Sequence, residues 1–583
     1  MSNQNQSWGI LPTQQDEDNT RAHAVSDPAG YHAGIAGREL HWFDGNTQSW
    51  ISQTDTGEWT GWHDRDASSA HADASWQPWS HPLDDSLAPY YRWFVDGQTN
   101  ACFNLIDRHV LSGRGDQIAI IFEGDRWDPS KNDGRGGPVH EQRVTYRELL
   151  VEVALRTRVL KQADLSCGDR VALNLPNVLE QIFYILACQR LGVIYTPVFG
   201  GFSAKTLSDR IHDAGAKVVI TADGGYRNAE VVPYKSTYTD PALDNYIPRP
   251  AALEALSATL RTRLSSDVAE RLEAQVSEAI AGEITLERAD VMRELGLALE
   301  RERGTAPEVI AELRTTVASE LANVGHAVTH VIVIRYTGND IVEHARDFWS
   351  PDLVAQVETD LLADAEVADR AALYALDDTA LWQAVGPHAA AVPVEANWPL
   401  FIIYTSGSTG KPKGVVHTHG GWLSGITHTL RTVFNANQDD CLYVIGDPGW
   451  ITGQSYLIAA PLAFGMSTMI AEGSPLFPHA GRFASIIERN NVTIFKAGST
   501  FLKAVMTDPA STQEMSRYDM SSLKVGTFCA EPVSPTVQQF AMDNICSHYI
   551  NSYWATEHGG IVFSCPWGDF KPLEADAKTW PLP

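Results

Sequence analysis

Short β-rich runs alternate with helical ones from about residue 117, and no other feature narrows the possible folds so far. "QIAIIFEG" reads as a strand, and Thr145 with Glu148 makes the signature of a capped helix that continues to about Lys161. "RVALNLP" is strand-like, "VLEQIFYILACQRLG" is helical and stops at Gly192, and "VIYTPV" and "KVVITA" are short β-rich runs around a helical "SAKTLSDRIHDAG". Strands separated by helices pair in parallel through right-handed crossovers, so both sheet faces must be covered. The expected class is α/β, with doubly wound, mostly parallel sheets flanked by helices.

At 583 residues the chain exceeds one hydrophobic core, and its composition suggests four parts. Residues 1–85 are polar and Trp-rich, with Trp42, Trp50, Trp59, Trp62, Trp76 and Trp79 set among turn formers and no clear period. Residues 86–250 form a first α/β subdomain. Residues 251–325 shift to Ala, Leu, Glu and Arg, contain no aromatic residue, and repeat apolar positions at three- and four-residue steps. They read as a helical insertion, either a surface bundle without chemistry or an element that docks a partner. "VTHVIVIRYTG" resumes the β pattern, so 326–583 is a second α/β subdomain.

A net charge of −28 argues against sequence-wide attraction to nucleic acid or an anionic membrane. Anionic ligands must then be met by local cations and backbone N–H groups. Seven scattered cysteines, never spaced C-x-x-C, fit neither a disulfide framework nor a zinc site, and point to a reducing cytoplasm. The polar, acidic start "MSNQNQSWGILPTQQDEDN" lacks the regions of a signal peptide. The apolar run from Tyr456 to Ile470 is interrupted by Pro461 and Gly465 and falls short of the ~20 residues that span a bilayer, so it reads as core.

The chemistry concentrates in two stretches. "WPLFIIY" delivers the chain into "TSGSTGKPKG", where glycines permit close approach, hydroxyls and N–H groups can donate to phosphate oxygens, and Lys411 and Lys413 supply charge. This is not a Walker A loop, because Thr405 and Pro412 stand where that motif needs Gly and Ser or Thr. Pro412 also removes a backbone donor, which argues against a helix-capping geometry. A flexible linker has similar composition but rarely follows a buried apolar strand. The second stretch, "NSYWATEHGG", sets Thr556 and Glu557 before two glycines; one carboxylate and a hydroxyl could hold Mg²⁺ against a phosphate.

Together with "RWFVDGQTNACFNLIDRH" (92–109), "VFGGFSAKTLSDRIHDAGAKVVITADGGYR" (198–227), "GDPGWITGQSY" (446–456) and "AEPVSP" (530–535), these stretches make the chain resemble the adenylate-forming (AMP-binding) superfamily, in its acetyl-CoA synthetase branch. Its long N-terminal region and insertion look most like the ligase part of the multifunctional propionyl-CoA synthases, which activates 3-hydroxypropionate. The resemblance implies ATP, Mg²⁺ and coenzyme A as cofactors, a small carboxylic acid as substrate, and no nucleic-acid or membrane partner.

Residue by residue, the resemblance implies that Thr405, Ser406, Gly407, Ser408, Thr409, Gly410, Lys411 and Lys413 embrace the β- and γ-phosphates. Thr556 and Glu557 would serve the α-phosphate and Mg²⁺. Glu531 and Pro532 would line the adenine site with Asn551, Ser552 and Tyr553; Asn551 stands where the branch usually has Asp, and its amide oxygen can still accept from adenine. Ile451, Thr452, Cys529 and Trp554 would wall the acyl pocket, the indole limiting it to two or three carbons. Thr452 and Cys529 are compatible with a terminal hydroxyl, although Cys529 reads equally as a small buried hydrophobe. Phe199, Gly200, Gly201 and Arg227 would meet coenzyme A, whereas Glu230 stands where a second arginine is usual. The family continues past "TWPLP" into a ribose-binding Asp and a lid carrying the adenylation lysine. The resemblance therefore implies that the chain continues into that lid and into further catalytic domains.

Overall fold

The capping box forms as the sequence dictates: the Thr145 hydroxyl accepts from the Glu148 N–H, and the Glu148 carboxylate accepts from the Thr145 N–H at 2.8 Å. The helix Tyr146–Gln162 that it starts is buried along most of its length. The helix Leu179–Leu191 ends at Gly192, whose φ of 68° places it in the left-handed region. The computed structural model describes residues 14–53, 59–61, 76–302, 306–386, 388–405, 412–531 and 533–564.

Two large sheets organise the molecule. The seven-stranded sheet runs in the order Asp347–Trp349, His330–Ile334, Val218–Ala222, Arg170–Asn174, Ile194–Pro197, Pro399–Thr405 and Lys413–Thr418. Its pairings are parallel except the last, an antiparallel hairpin. The eight-stranded sheet runs Glu141–Thr145, Ile118–Glu123, Ser467–Ala471, Cys441–Val444, Ile494–Gly498, Val525–Cys529, Tyr549–Tyr553 and Phe563–Ser564, parallel except at its two ends. Central strands such as Val218–Ala222 and Val525–Cys529 are buried at every position, as a sheet covered on both faces requires. No helix is long and apolar enough to cross a membrane among the described residues.

The two faces of the second sheet feed different cores. Leu442, Val444, Ile494, Val525, Cys529 and Ile550 join the main core, whereas Tyr443, Phe495, Ala497, Phe528 and Tyr549 face a smaller one. Period-two alternation accounts for the split.

The helices Arg249–Arg263, Ser266–Ala279, Arg288–Arg301 and Pro307–Asn323 pack around an aliphatic core of their own, with Leu256, Leu260, Leu272, Val291 and Val317 fully buried. Asp209, on the helix Ala204–Ala214, ties this bundle down by accepting from the Thr285 N–H at 3.0 Å. Near the N-terminus, Ala36, Leu40, Trp42, Ile51 and Trp59 contribute to the main core rather than to a separate one. Two helices, Gln14–Ser26 and Pro28–Glu39, lead up to this group, and Ala36 lies on the second. The first of these is polar around most of its circumference, which is why no apolar period marks it in the sequence.

Candidate functional site

Thr405 and Lys413 are register partners at the loop end of the antiparallel hairpin formed by Pro399–Thr405 and Lys413–Thr418. The phosphate-loop stretch therefore joins two strands and is not followed directly by a helix N-terminus, in keeping with the expectation from Pro412. Ser406, Gly407, Ser408, Thr409, Gly410, Lys411 and Pro532 lie outside the described residues.

His417, on the second strand of the hairpin, donates from Nε2 to the Thr556 carbonyl at 2.8 Å and so brings the "ATEHGG" turn beside the loop's exit. Burial lowers the His417 pKa from its ordinary value, opposed by the Thr556 carbonyl and the Glu557 carboxylate. Gly559 makes the approach possible: its φ is +73°, and a Cβ there would come within 2.6 Å of Trp422 and 2.7 Å of His417. The Gly559 carbonyl accepts from the Ser455 hydroxyl at 2.6 Å and from the Trp422 indole at 3.2 Å. The turn is thus fixed while Glu557 itself stays exposed, without an ion pair among the described residues. One free carboxylate suits Mg²⁺ held mainly through phosphate oxygens. The described cluster of three metal-ligating side chains, Asp240, Asp244 and His344, is elsewhere, and its acids already pair with Lys235 and Arg346 at 2.8 Å each.

The remaining nucleotide candidates stand at the carboxyl ends of neighbouring parallel strands, where open α/β sheets bind ligands. Cys529 ends one strand, and Ala530 follows at φ +82°, turning the chain so that Glu531 is exposed. Lys503 pairs with Glu531 at 2.9 Å and is the main cause that holds its carboxyl below the usual range. On the next strand, Asn551 is half-buried, Ser552 is buried and Tyr553 is exposed, with Trp554 turned inward just beyond it. The Trp554 indole meets Tyr456 edge-on at 5.2 Å between centroids. Ile451 and Thr452 lie where the 446–450 loop enters the turn Gly453–Ala459.

Phe199, Gly200, Gly201 and Arg227 line one cleft of about 360 Å³ together with Tyr234, Asp447, Trp450 and Glu472. Trp450 is a wall of this cleft and the immediate neighbour of Ile451, so a single loop connects the coenzyme candidates to the acyl candidates. A Cβ on Gly200 would lie 2.2 Å from the Tyr234 hydroxyl, so only glycine leaves the cleft open there. Burial pushes Asp447 up to about 7, with the Gly449 N–H and Arg227 opposing. Burial also raises Glu472, against the hydrogen bonds that it accepts from the Tyr226 N–H and the Tyr336 hydroxyl, both at 2.7 Å.

Arg227 and Glu230 face each other across the ribbon formed by Gly225–Arg227 and Glu230–Val232. The structure also supplies a cation that sequence reading missed. The Arg126 guanidinium lies 4.6 Å from the centroid of Tyr226, a cleft residue. Its distance in sequence from every motif hid it; only the paired acidic signature "FEGD" beside it hints at a charged region.

The mixed α/β fold, with its parallel sheets flanked by helices, fits the body of an adenylate-forming enzyme. The chain belongs to the AMP-binding enzyme family, whose profile matches residues 108–582, and residues 68–105 match the acetyl-coenzyme A synthetase N-terminus. This supports the adenylate-forming superfamily and its acetyl-CoA synthetase branch. Acetyl-coenzyme A synthetase of Herminiimonas arsenicoxydans is 32% identical over 96% of this chain and 63% of its own length. The enzymes of the same name from Ralstonia nicotianae and Rhodopirellula baltica are 33% and 30% identical, over 88% and 87% of this chain and 61% and 57% of their own lengths. The chain thus spans about three fifths of these relatives.

Proposed function

We propose that the protein ligates a short-chain carboxylic acid to coenzyme A in two steps. The acid's carboxylate attacks the α-phosphate of ATP, forming acyl-adenylate and releasing pyrophosphate; the coenzyme A thiol then attacks the acyl carbon, and AMP leaves. The observation that carries this reading is the His417–Thr556 hydrogen bond, which ties the Thr556–Glu557 turn at the edge of the eight-stranded sheet to the hairpin strand Lys413–Thr418, in a chain matched by the AMP-binding profile over 108–582.

In this reading Thr405, Lys413 and the intervening loop residues receive the β- and γ-phosphates, and Glu531, Asn551, Ser552 and Tyr553 frame the adenine. Mg²⁺ at Glu557, with Thr556 beside it, would offset phosphate charge. Ile451, Thr452, Cys529 and Trp554 enclose the acid. The chain's own contribution is placement and fixed dipoles rather than covalent chemistry. Phe199, Gly200, Gly201 and Arg227 guide the coenzyme along the cleft, and the 446–452 loop hands its thiol to the acyl carbon. The described cysteines are free thiols, which suits a reducing cytoplasm.

The relatives' printed name, acetyl-coenzyme A synthetase, favours acetate. A second reading, 3-hydroxypropionate within a larger propionyl-CoA synthase, draws on the polar atoms of Thr452 and Cys529. Acid-dependent exchange of pyrophosphate into ATP by the full-length parent protein, compared across acetate, propionate, 3-hydroxypropionate and acrylate, tests the proposal. Exchange with at least one of these acids is the expected result. No exchange with any of them, despite ATP binding, would reject the ligase reading.

A further inference from the structure

Lys496 is fully buried in the middle of the strand Ile494–Gly498. On the inner side of its sheet, Ile494, Val525 and Ile550 join the main core, and the buried hydroxyls of Thr527 and Ser552 share that face. Its Nζ donates to the Ser552 hydroxyl at 2.8 Å and lies 5.2 Å and 5.5 Å from the ring centroids of Tyr456 and Trp554. Cys529 also contacts it, and no carboxylate pairs with it among the described residues. Ser552 cannot take more: its oxygen accepts from Lys496 and from the Thr527 hydroxyl at 2.9 Å, and it donates to the Phe528 carbonyl at 3.0 Å.

An ammonium group has three hydrogens to place. Two ring faces, one hydroxyl and a weakly accepting sulfur replace only part of the hydration that it loses on burial. Two of these neighbours, Trp554 and Cys529, are the residues assigned above to the acyl pocket, and Ser552 is assigned to the nucleotide site. A methionine or leucine would fill this position in a pocket built for an alkyl chain. A cation there instead calls for an oxygen acceptor from the ligand.

Resting on the ligase reading, we infer that Lys496 is a specificity-determining residue that selects a short acid bearing an oxygen, either a hydroxyl or a second carboxylate, at the end remote from the reacting carboxyl. The oxygen accepts a hydrogen bond from Nζ, completing the coordination that Ser552 and Cys529 begin. A plain alkyl end leaves that donor unpaired, and sites built to bond a polar substituent discriminate strongly against analogues that lack it.

The test uses three stable acyl-adenylate mimics, the N-propionyl, N-(3-hydroxypropionyl) and N-malonyl sulfamoyl adenosines, titrated calorimetrically into the full 583-residue chain. At least one oxygen-bearing mimic is expected to bind about tenfold or more tighter than the propionyl mimic. Whichever of the two binds tighter names the acceptor as hydroxyl or carboxylate. In Lys496→Met the advantage should shrink to about twofold or less, while the propionyl mimic holds or gains affinity. Lys496→Gln, which keeps a neutral donor, should retain part of the preference for the hydroxyl. AMP titration into each variant reports that the nucleotide site is intact. Equal affinities for all three mimics in the wild-type chain would overturn the inference without reference to any variant, as would an unchanged preference in Lys496→Met. Binding of AMP with no binding of any mimic would bring down the ligase reading itself.

Discussion

The insertion of four helices and the eight-stranded sheet both bury their apolar residues thoroughly, yet only one of them admits charge. In the insertion the buried side chains are aliphatic apart from the hydroxyls of Thr259 and Thr285, and its ion pairs, such as Arg261 with Glu273 and Arg271 with Glu302, lie toward solvent. The sheet encloses Lys496, Glu123, Asp125 and Arg482, all essentially inaccessible, the last three held as a network. Buried charge is a costly way to gain stability and is retained where it organises something else. The contrast separates the part of the chain that stabilises itself from the part that, on the ligase reading, is arranged around ligands.

The sharpest way to break that contrast is to alter the ligand side and observe a structural effect only. Glu557→Gln replaces an exposed carboxylate with a neutral amide, so folding should be unaffected while pyrophosphate exchange falls by roughly 10²–10³, the scale of losing one preorganised electrostatic group. Near-normal exchange at saturating Mg²⁺ would remove Glu557 from the site. Trp554→Gly should move the preference toward longer acids, at about 0.8 kcal/mol for each added methylene that the vacated space buries. An unchanged chain-length profile in the folded variant would make the indole ordinary core.

A smaller effect is expected from Asp447. Because burial raises its carboxyl to about 7, the native state holds a proton that the unfolded chain has released, and its contribution to stability is present below pH ~4 and lost as pH rises through ~7. The same ionisation puts a negative charge into the cleft, so an anionic coenzyme should bind less tightly at pH 8 than at pH 6, by less than about tenfold. Asp447→Asn should flatten that slope. The ratio of wild type to variant at each pH isolates the carboxyl from titration of the coenzyme; parallel slopes would refute its role.

The smallest functional change should come from the insertion. Leu272→Ala opens its core and should cost about 2–5 kcal/mol locally, seen as faster amide exchange in the four helices, with pyrophosphate exchange altered by less than about twofold. A matching loss of activity would show that the bundle and the site are energetically coupled.

Local rules made much of the scaffold readable. Thr145 with Glu148, the stop at Gly192 and the all-apolar parallel strands state their structure within a few residues, because capping, left-handed glycine and burial on both faces are each encoded locally. Long-range juxtaposition is not. Nothing in "VTIFKAG" says that its lysine will meet Tyr456, Ser552 and Trp554, and nothing in "GDRWD" places Arg126 over Tyr226. The resemblance implies Glu531 at the adenine edge, whereas its pairing with Lys503 depends on a strand end and the helix Ser499–Thr507 meeting in space. The polar helix Gln14–Ser26 left no periodic trace, since a segment without an apolar stripe gives periodicity nothing to detect.

The bundle is carried within the crossover between the adjacent parallel strands Val218–Ala222 and His330–Ile334, which pair in uninterrupted register. Closing a connection costs entropy only logarithmically in its length, so the sheet is nearly blind to how much polypeptide is housed there. For an engineer this makes the crossover a port. A reporter domain exchanged for the four helices, with its ends matched to those of the bundle, would ride on the enzyme body without resetting the strand alignment beneath it.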